Sequence, residues 1–352
     1  MEPAQPHTLL QNMMRTYEGP SHSVVAMSLR HGEQHFLSSG IAADAAADQI
    51  YEIGSITKVF TAILLCLLVE EGKIDPNAPL RDISADLAHV PLWITPNSLT
   101  SHTSGLPRIH VPLWSALLNP LPQDPYASFS RADLLEWLQR WAKTATQPKP
   151  RHLYSNLGIG LLGEAMSMLE GTPFTALLTE RVLTPLGLND TGATLTGTQL
   201  DRFAQPHNTK GNPVPPWTFQ SMAAAGCLRA TARDLALFSQ RIIAAHQAVE
   251  TALDRAICRA AEPIFGLGFK GSTKPAAQCS GWLSMTLDKN APGFLHHDGG
   301  TAGSTAALYI CPEKASACAI LSNTGLAASL WGNAKLSWSN QLRQAHNYFA
   351  AE

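Results

Sequence analysis

The chain has 352 residues, 45% of them hydrophobic and 15% charged, with a formal net charge of −2. That is enough apolar material for a packed enzyme-sized core, and it excludes a disordered chain. The near-neutral balance, with no basic stripe, excludes a field that recruits nucleic acid or anionic lipid.

The start, Met1 to His7, lacks the basic-then-apolar order of a signal peptide. The longest apolar stretch, Val59 to Val69, is far shorter than the ~20 residues that span a bilayer. The expectation is a soluble cytoplasmic protein with no membrane insertion, or a periplasmic one had a leader been removed. Six cysteines (66, 227, 258, 279, 311 and 318) are scattered without a Cys-x-x-Cys pair, so they read as buried free thiols rather than a metal ribbon.

In chain order, Ser23–Leu29 and Gln34–Leu37 flank the turn residues His31-Gly32-Glu33, which predicts a hairpin. Tyr51-Glu52-Ile53-Gly54-Ser55 then leads into a helical run that reaches Glu71 and stops at Gly72. Ser130-x-x-Asp133 has the form of a capping box before Leu134, Leu135, Leu138 and Trp141. A helix is expected to follow Asn156 and end near Gly171. Another is expected to about Leu183, with Thr172 as N-cap and Pro173 at its first helical position. Thr231-x-x-Asp234 opens a further helix through Phe238. Thr305–Ile310 and Ala317–Leu321 flank Pro312-Glu313-Lys314 as a second hairpin, and an amphipathic stretch from Leu336 to Phe349 closes the chain. Strands at both ends with helices between them predict a sheet assembled from the two termini.

Ser55-Ile56-Thr57-Lys58 is the first place where chemistry shows. On a helix, residues three apart share a face, so a serine hydroxyl would sit beside a lysine ammonium. It would also lie near N-terminal backbone N–H groups that favour developing negative charge. Alone, the pattern reads better as a capping serine and a solvated lysine. The run that follows, Val59 to Leu65, is apolar on all sides, and a buried lysine is costly without a partner or a purpose. Burial would lower its pKa and let it take the proton that makes serine nucleophilic. Tyr154-Ser155-Asn156 adds a phenol able to shuttle that proton and an amide able to bind a substrate amide. Taken alone, it reads better as a helix entry, with Tyr154 packing and Ser155 or Asn156 capping. His296-His297-Asp298-Gly299-Gly300-Thr301 ends in glycines that let backbone approach a ligand. Adjacent residues rarely share one tetrahedral centre, so no metal is expected there. Gly158-x-Gly160-x-x-Gly163 matches a dinucleotide fingerprint, yet Lys149-Pro150-Arg151-His152 stands where its strand should be. Those glycines therefore read as close helix packing.

Together, Ser55-x-x-Lys58, Tyr154-x-Asn156 and His297-Asp298-Gly299 resemble the penicillin-recognising serine hydrolases. The likeness is to the branch that holds class C β-lactamases, DD-peptidases, D-aminopeptidases and esterases. Tyr51–Ser55, Leu99–Pro107, Pro185–Leu188 and Ala225–Leu235 add to a likeness that runs from about residue 20 to residue 325. It implies an α/β (α+β) fold, an antiparallel sheet flanked by helices plus a mainly helical domain. Residues 1–75 and 215–352 would form the first domain and 76–214 the second, with the site in the cleft between them. It implies an acyl-enzyme on Ser55, proton handling by Lys58 and Tyr154, and substrate orientation by Asn156. The N–H groups of Ser55 and Gly300 would form an oxyanion hole, beside His297 and Gly299, and no cofactor is implied.

Asp298 stands where the family usually has a small hydroxyl residue, and would either repel carboxylate-bearing substrates or pair with His297. Ser304 follows Gly303 where an aromatic is frequent. The substrate expected is a small molecule or short peptide carrying an amide, a β-lactam or an ester. The rival readings are a carboxylesterase or biosynthetic acyl transferase and, from another class, a penicillin-binding sensor that is acylated without turnover.

Overall fold

The opening hairpin forms because its turn and its strands agree. His31 and Gly32 both adopt positive φ (49° and 87°), the backbone of a two-residue turn whose twist matches its flanking strands. A computed structural model describes residues 5–20, 23–111, 124–268, 276–286, 292–328 and 336–351. In it β1 (Val24–Arg30) and β2 (Glu33–Ser39) are antiparallel. Strands β3 (Ile50–Glu52) and β4 (Arg229–Thr231) make a small separate pair. The remaining strands are β5 (Pro263–Gly266), β6 (Ala276–Cys279), β7 (Leu283–Met285), β8 (Phe294–Gly300), β9 (Thr305–Cys311) and β10 (Ser316–Ser322).

Among the described residues, eight strands form one antiparallel sheet in the order β2-β1-β10-β9-β8-β7-β6-β5. The pairing of β1 with β10, Val24 opposite Ser322, brings the two ends of the chain together. The second predicted hairpin is β9–β10, closed through Pro312–Lys314. Every residue of both strands is buried, the mark of a sheet covered on both faces.

The helices used below are α1 (Pro6–Thr16), α2 (Thr57–Glu70), α3 (Arg131–Ala142), α4 (Asn156–Glu170), α5 (Ala232–Gln247), α6 (Ala252–Ala260) and α7 (Trp338–Ala350). Helices α1 and α7 cover one sheet face, with Leu10, Met13, Tyr348 and Phe349 against Val24, Ile320 and Phe294. Helices α2, α5 and α6 cover the other, where Phe60, Leu64, Phe238 and Ile257 meet Val25, Leu308 and Leu321. Each such side chain contributes about 1.5–3 kcal/mol by leaving water.

Most local signals behave as their chemistry requires. Ser130 and Asp133 form the reciprocal capping box of α3, and Gly171 ends α4 at φ 63°. The α4 glycines are packing glycines: a Cβ on Gly160 would overlap Met222, and one on Gly163 would overlap Ala224. Two expectations change. Thr172 does not cap the next helix; its hydroxyl donates to the Glu170 carbonyl, and extended Pro173 takes the N-cap place before Phe174–Leu178. The helix capped by Thr231 runs to Gln247 rather than Phe238, because Ile242, Ile243 and Ala245 extend its buried face. All six cysteines are free, and all but Cys258 are buried.

Candidate active site

Ser55 lies one residue before α2, on a short 3₁₀ turn, Gly54–Ile56. In a 3₁₀ turn residues i and i+3 eclipse, which brings Lys58 over Ser55 more directly than an α-turn would. Lys58 Nζ lies 2.9 Å from Ser55 Oγ and donates to the Ala225 carbonyl at 2.6 Å. The ammonium is 1% exposed, and burial, helped by the nearby Arg108 charge, holds its pKa well below the ordinary lysine value. The Ala223–Ala225 turn is pinned to α2, since Thr61 donates to the Ala224 carbonyl and Leu228 N–H donates to Thr57.

Tyr154 hydrogen-bonds Ser55 from the start of α4, and Lys58 Nζ sits 5.1 Å from its ring centre. Burial pushes its phenol pKa up, with the Ser55 bond and the Arg108 charge opposing, so it stays a neutral hydroxyl at working pH. Ser155, the N-cap of α4, accepts from Gly158 N–H and donates to the Pro107 carbonyl, so helix cap and site share one segment. Asn156 donates to the Tyr126 hydroxyl at 2.9 Å, while its buried Oδ1 has no partner among the described residues.

Strand β8 supplies the opposite wall. Gly54 adopts φ 49°, and a Cβ there would stand 2.6 Å from Gly300 N, so that N–H group faces the Ser55 turn. A Cβ on Gly299 would overlap the Ile53 carbonyl oxygen and lie 3.4 Å from Ser55 N. Two bare backbones therefore meet at Ser55. Buried Glu52 fastens the far end, taking hydrogen bonds from Thr301 Oγ1 and Trp217 N–H, both at 2.7 Å.

His297 points towards Lys58, and burial lowers its pKa to about 3, with the Lys58 charge adding to the shift. It is a neutral imidazole rather than a basic group. Asp298 does not pair with it side chain to side chain. On a strand, neighbours face opposite ways, so Asp298 joins His296, whose Nε2 lies 3.3 Å from Asp298 Oδ1. Burial raises the Asp298 carboxyl pKa, but His296 and His297 more than offset this and the balance falls below the ordinary aspartate value.

Ser55, Tyr154, Asn156, His297, Gly299 and Gly300 line one cleft of about 880 Å³, and Lys58 lies beneath it. Every residue singled out from the sequence meets there. Two others were not given a role. His102 places its ring 4.5 Å from Tyr154 and accepts from Ser155 N–H at 3.2 Å. Its burial, with the Lys58 charge next in weight, holds it neutral. Arg108 lies 5.5 Å from the Tyr154 ring centre and lines the cleft as an exposed cation. The available signal was their loop: His102 has φ 57°, rare for a residue with a side chain, and Arg108 follows the Leu99–Pro107 motif directly.

A serine and a tyrosine gathered on a buried lysine, in a cleft beside an antiparallel sheet, define a serine hydrolase. The Beta-lactamase family model matches residues 9–332, and the chain belongs to that family. It is 27% identical over 289 residues to the D-alanyl-D-alanine-carboxypeptidase/endopeptidase AmpH of Escherichia coli (strain K12), covering 76% of this chain and 69% of that protein. It is 25% identical to penicillin-binding protein 4 of Amycolatopsis lactamdurans, over 85% and 80% of the two chains. Its fold matches the β-lactamase/D-alanine carboxypeptidase of Pseudomonas syringae (TM-score 0.77, 22% identity, 96% and 98% covered). It also matches a class C β-lactamase of Rhodobacter sphaeroides (TM-score 0.76, 18% identity, 96% and 98% covered).

Proposed function

We propose that this serine hydrolase cleaves a small amide, β-lactam or ester through an acyl-enzyme on Ser55. The observation that carries the reading is the Lys58 amine, buried and 2.9 Å from Ser55 Oγ. Its lowered pKa fits it to take the Oγ proton as Oγ attacks the carbonyl. The oxyanion is held by the N–H groups of Ser55 and Gly300, a kind of contact worth about 10²–10³-fold per donor. Tyr154 gives its proton to the leaving group and regains one from the Lys58 ammonium. Water then enters by the same route in reverse and frees Ser55. Asn156 Oδ1, unpaired and buried, accepts from a substrate amide N–H. The likeness to a carboxypeptidase supports amide cleavage. The uncharged His297 favours the second reading, an esterase or acyl transferase, because it offers no cation to a substrate carboxylate.

The test is turnover of a chromogenic cephalosporin and of a short-chain p-nitrophenyl ester by wild type and Ser55→Ala. Cephalosporin turnover lost in the variant is the expected result for an amide site. Ester turnover alone, equally lost, moves the assignment to an esterase or acyl transferase. Wild-type rates in the variant would remove Ser55 from the mechanism.

A further inference from the structure

The cleft extends past the Ser55 turn along an open edge of β8. Strand β7 pairs with β8 only as far as His296, opposite Leu283. From His297 to Gly300 that side of β8 has no strand partner among the described residues. Side chains from both sheet faces therefore reach one cavity: His297 from the Ser55 face, and Asp298 from the face covered by α1 and α7. The walls beyond Asp298 are Tyr17, Thr305, Ala327 and Gln341.

Asp298 is set up unusually for a residue so near a nucleophile. Its buried Oδ1 lies 3.3 Å from Nε2 of His296 without a hydrogen bond of good geometry, and His296 is itself fully buried and stacked on Tyr309 with ring centres 4.5 Å apart. That contact fixes the carboxylate rather than covering it. The side chain stays 45% exposed, and no described group hydrogen-bonds the second oxygen. Tyr17 and Tyr309 bring hydroxyls rather than charges to the same wall, and Gln341 is engaged, donating to the Leu336 carbonyl at 3.0 Å. A half-open carboxylate with no cation among the described residues against its outer oxygen is a receptor for a cation.

We propose that Asp298 forms a subsite for a protonated amino group of the substrate, on the Tyr17 side of the cleft. The inference rests on Ser55 as the reacting centre and adds the charge of the substrate. Asp298 directly precedes Gly299, which touches the Ser55 turn, and one strand residue spans only about 3.4 Å. Asp298 and Ser55 line the same cleft and the Asp298 charge is felt at Tyr154, so an ammonium group on a substrate that acylates Ser55 meets the carboxylate within that cleft. A carboxylate in that position would meet a like charge at the same place. Arg108, beside Tyr154, leaves the other end of the cleft cationic.

Three phenylboronic acids that differ only at the meta position test this, since boron captures a reactive serine hydroxyl without turnover. The substituents are aminomethyl, ethyl and carboxymethyl, and inhibition constants are measured on wild type, Asp298→Asn and Ser55→Ala. In wild type the aminomethyl compound binds about five to ten times tighter than the ethyl compound, and the carboxymethyl compound weaker than either. In Asp298→Asn the ratio of the aminomethyl and ethyl constants falls to within twofold of one. A ratio taken within one variant cancels any general loss of fit. Equal binding of all three to wild type, with binding lost in Ser55→Ala, overturns the subsite and leaves Ser55 in place. A preference that survives Asp298→Asn also overturns it. Binding that survives Ser55→Ala, or no binding to wild type, removes the Ser55 reading and the subsite with it.

Discussion

His296 and His297 are neighbours in sequence and strangers in space. His297 faces Lys58 on the catalytic side of β8, where a lysine and a buried wall keep it neutral with a pKa near 3. His296 faces the layer formed by α1 and α7, stacked on Tyr309 and joined to Asp298. The contrast teaches that the two faces of one strand are separate chemical environments. One depresses the basicity of every nitrogen base whose shift is resolved there. The other fixes a carboxylate for use at the cleft edge. The side with the chemistry is also costly to fold, because a desolvated amine is kept where a hydrocarbon would pack.

The sharpest way to break that contrast is to make the catalytic side apolar. Lys58→Met should lower kcat by about 10²–10⁴-fold. Its urea-denaturation stability should hold or rise by about 1 kcal/mol, since the buried amine is no longer desolvated. Retention of kcat within tenfold would show that Lys58 is not the base.

The next test presses on the seam between strand and nucleophile. Gly299→Ala puts a methyl group into the Ile53 carbonyl and must push β8 away. A displacement near 1 Å costs about 10²-fold in turnover. Gly266→Ala, in β5 with no described atom within 4 Å of the added methyl, should stay within about 0.5 kcal/mol and keep full turnover. Equal behaviour of the two variants would mean that the seam does not set the geometry.

The smallest effect comes from pH. His297 and His102 both have folded-state pKa values below the ordinary 6.5. Below pH 6.5 the unfolded chain takes up protons that the folded chain refuses. Stability is therefore full above that pH and is lost as pH falls towards 3. Between pH 7.5 and 5, His297 alone should account for about 2 kcal/mol. Urea midpoints measured at the two pH values check the slope, and His297→Gln should flatten it. A slope that His297→Gln leaves unchanged would mean that His297 is not desolvated as described.

Much of the site was legible because its signals are local. Ser55-x-x-Lys58 before an apolar helix implies a buried lysine whatever packs around it, since α2 offers no polar face on which to expose it. Tyr154-Ser155-Asn156 marks its own helix start through the Ser155 cap. The misreadings arose where local chemistry had two outlets. Thr172 could cap forwards or bond backwards, and the Glu170 carbonyl took its proton.

The sequence by itself determined the hairpins, the capped helices, the packing glycines of α4 and the burial of the lysine beside Ser55. Each depends on residues a few positions apart. Tertiary structure alone decided that His297 is neutral, that Asp298 is held by His296, and that His102 and Arg108 flank Tyr154. Those outcomes depend on desolvation and on charges brought together from segments far apart in the chain, Lys58 and His297 among them. Burial and distance set a pKa, and neither is written in the order of the chain.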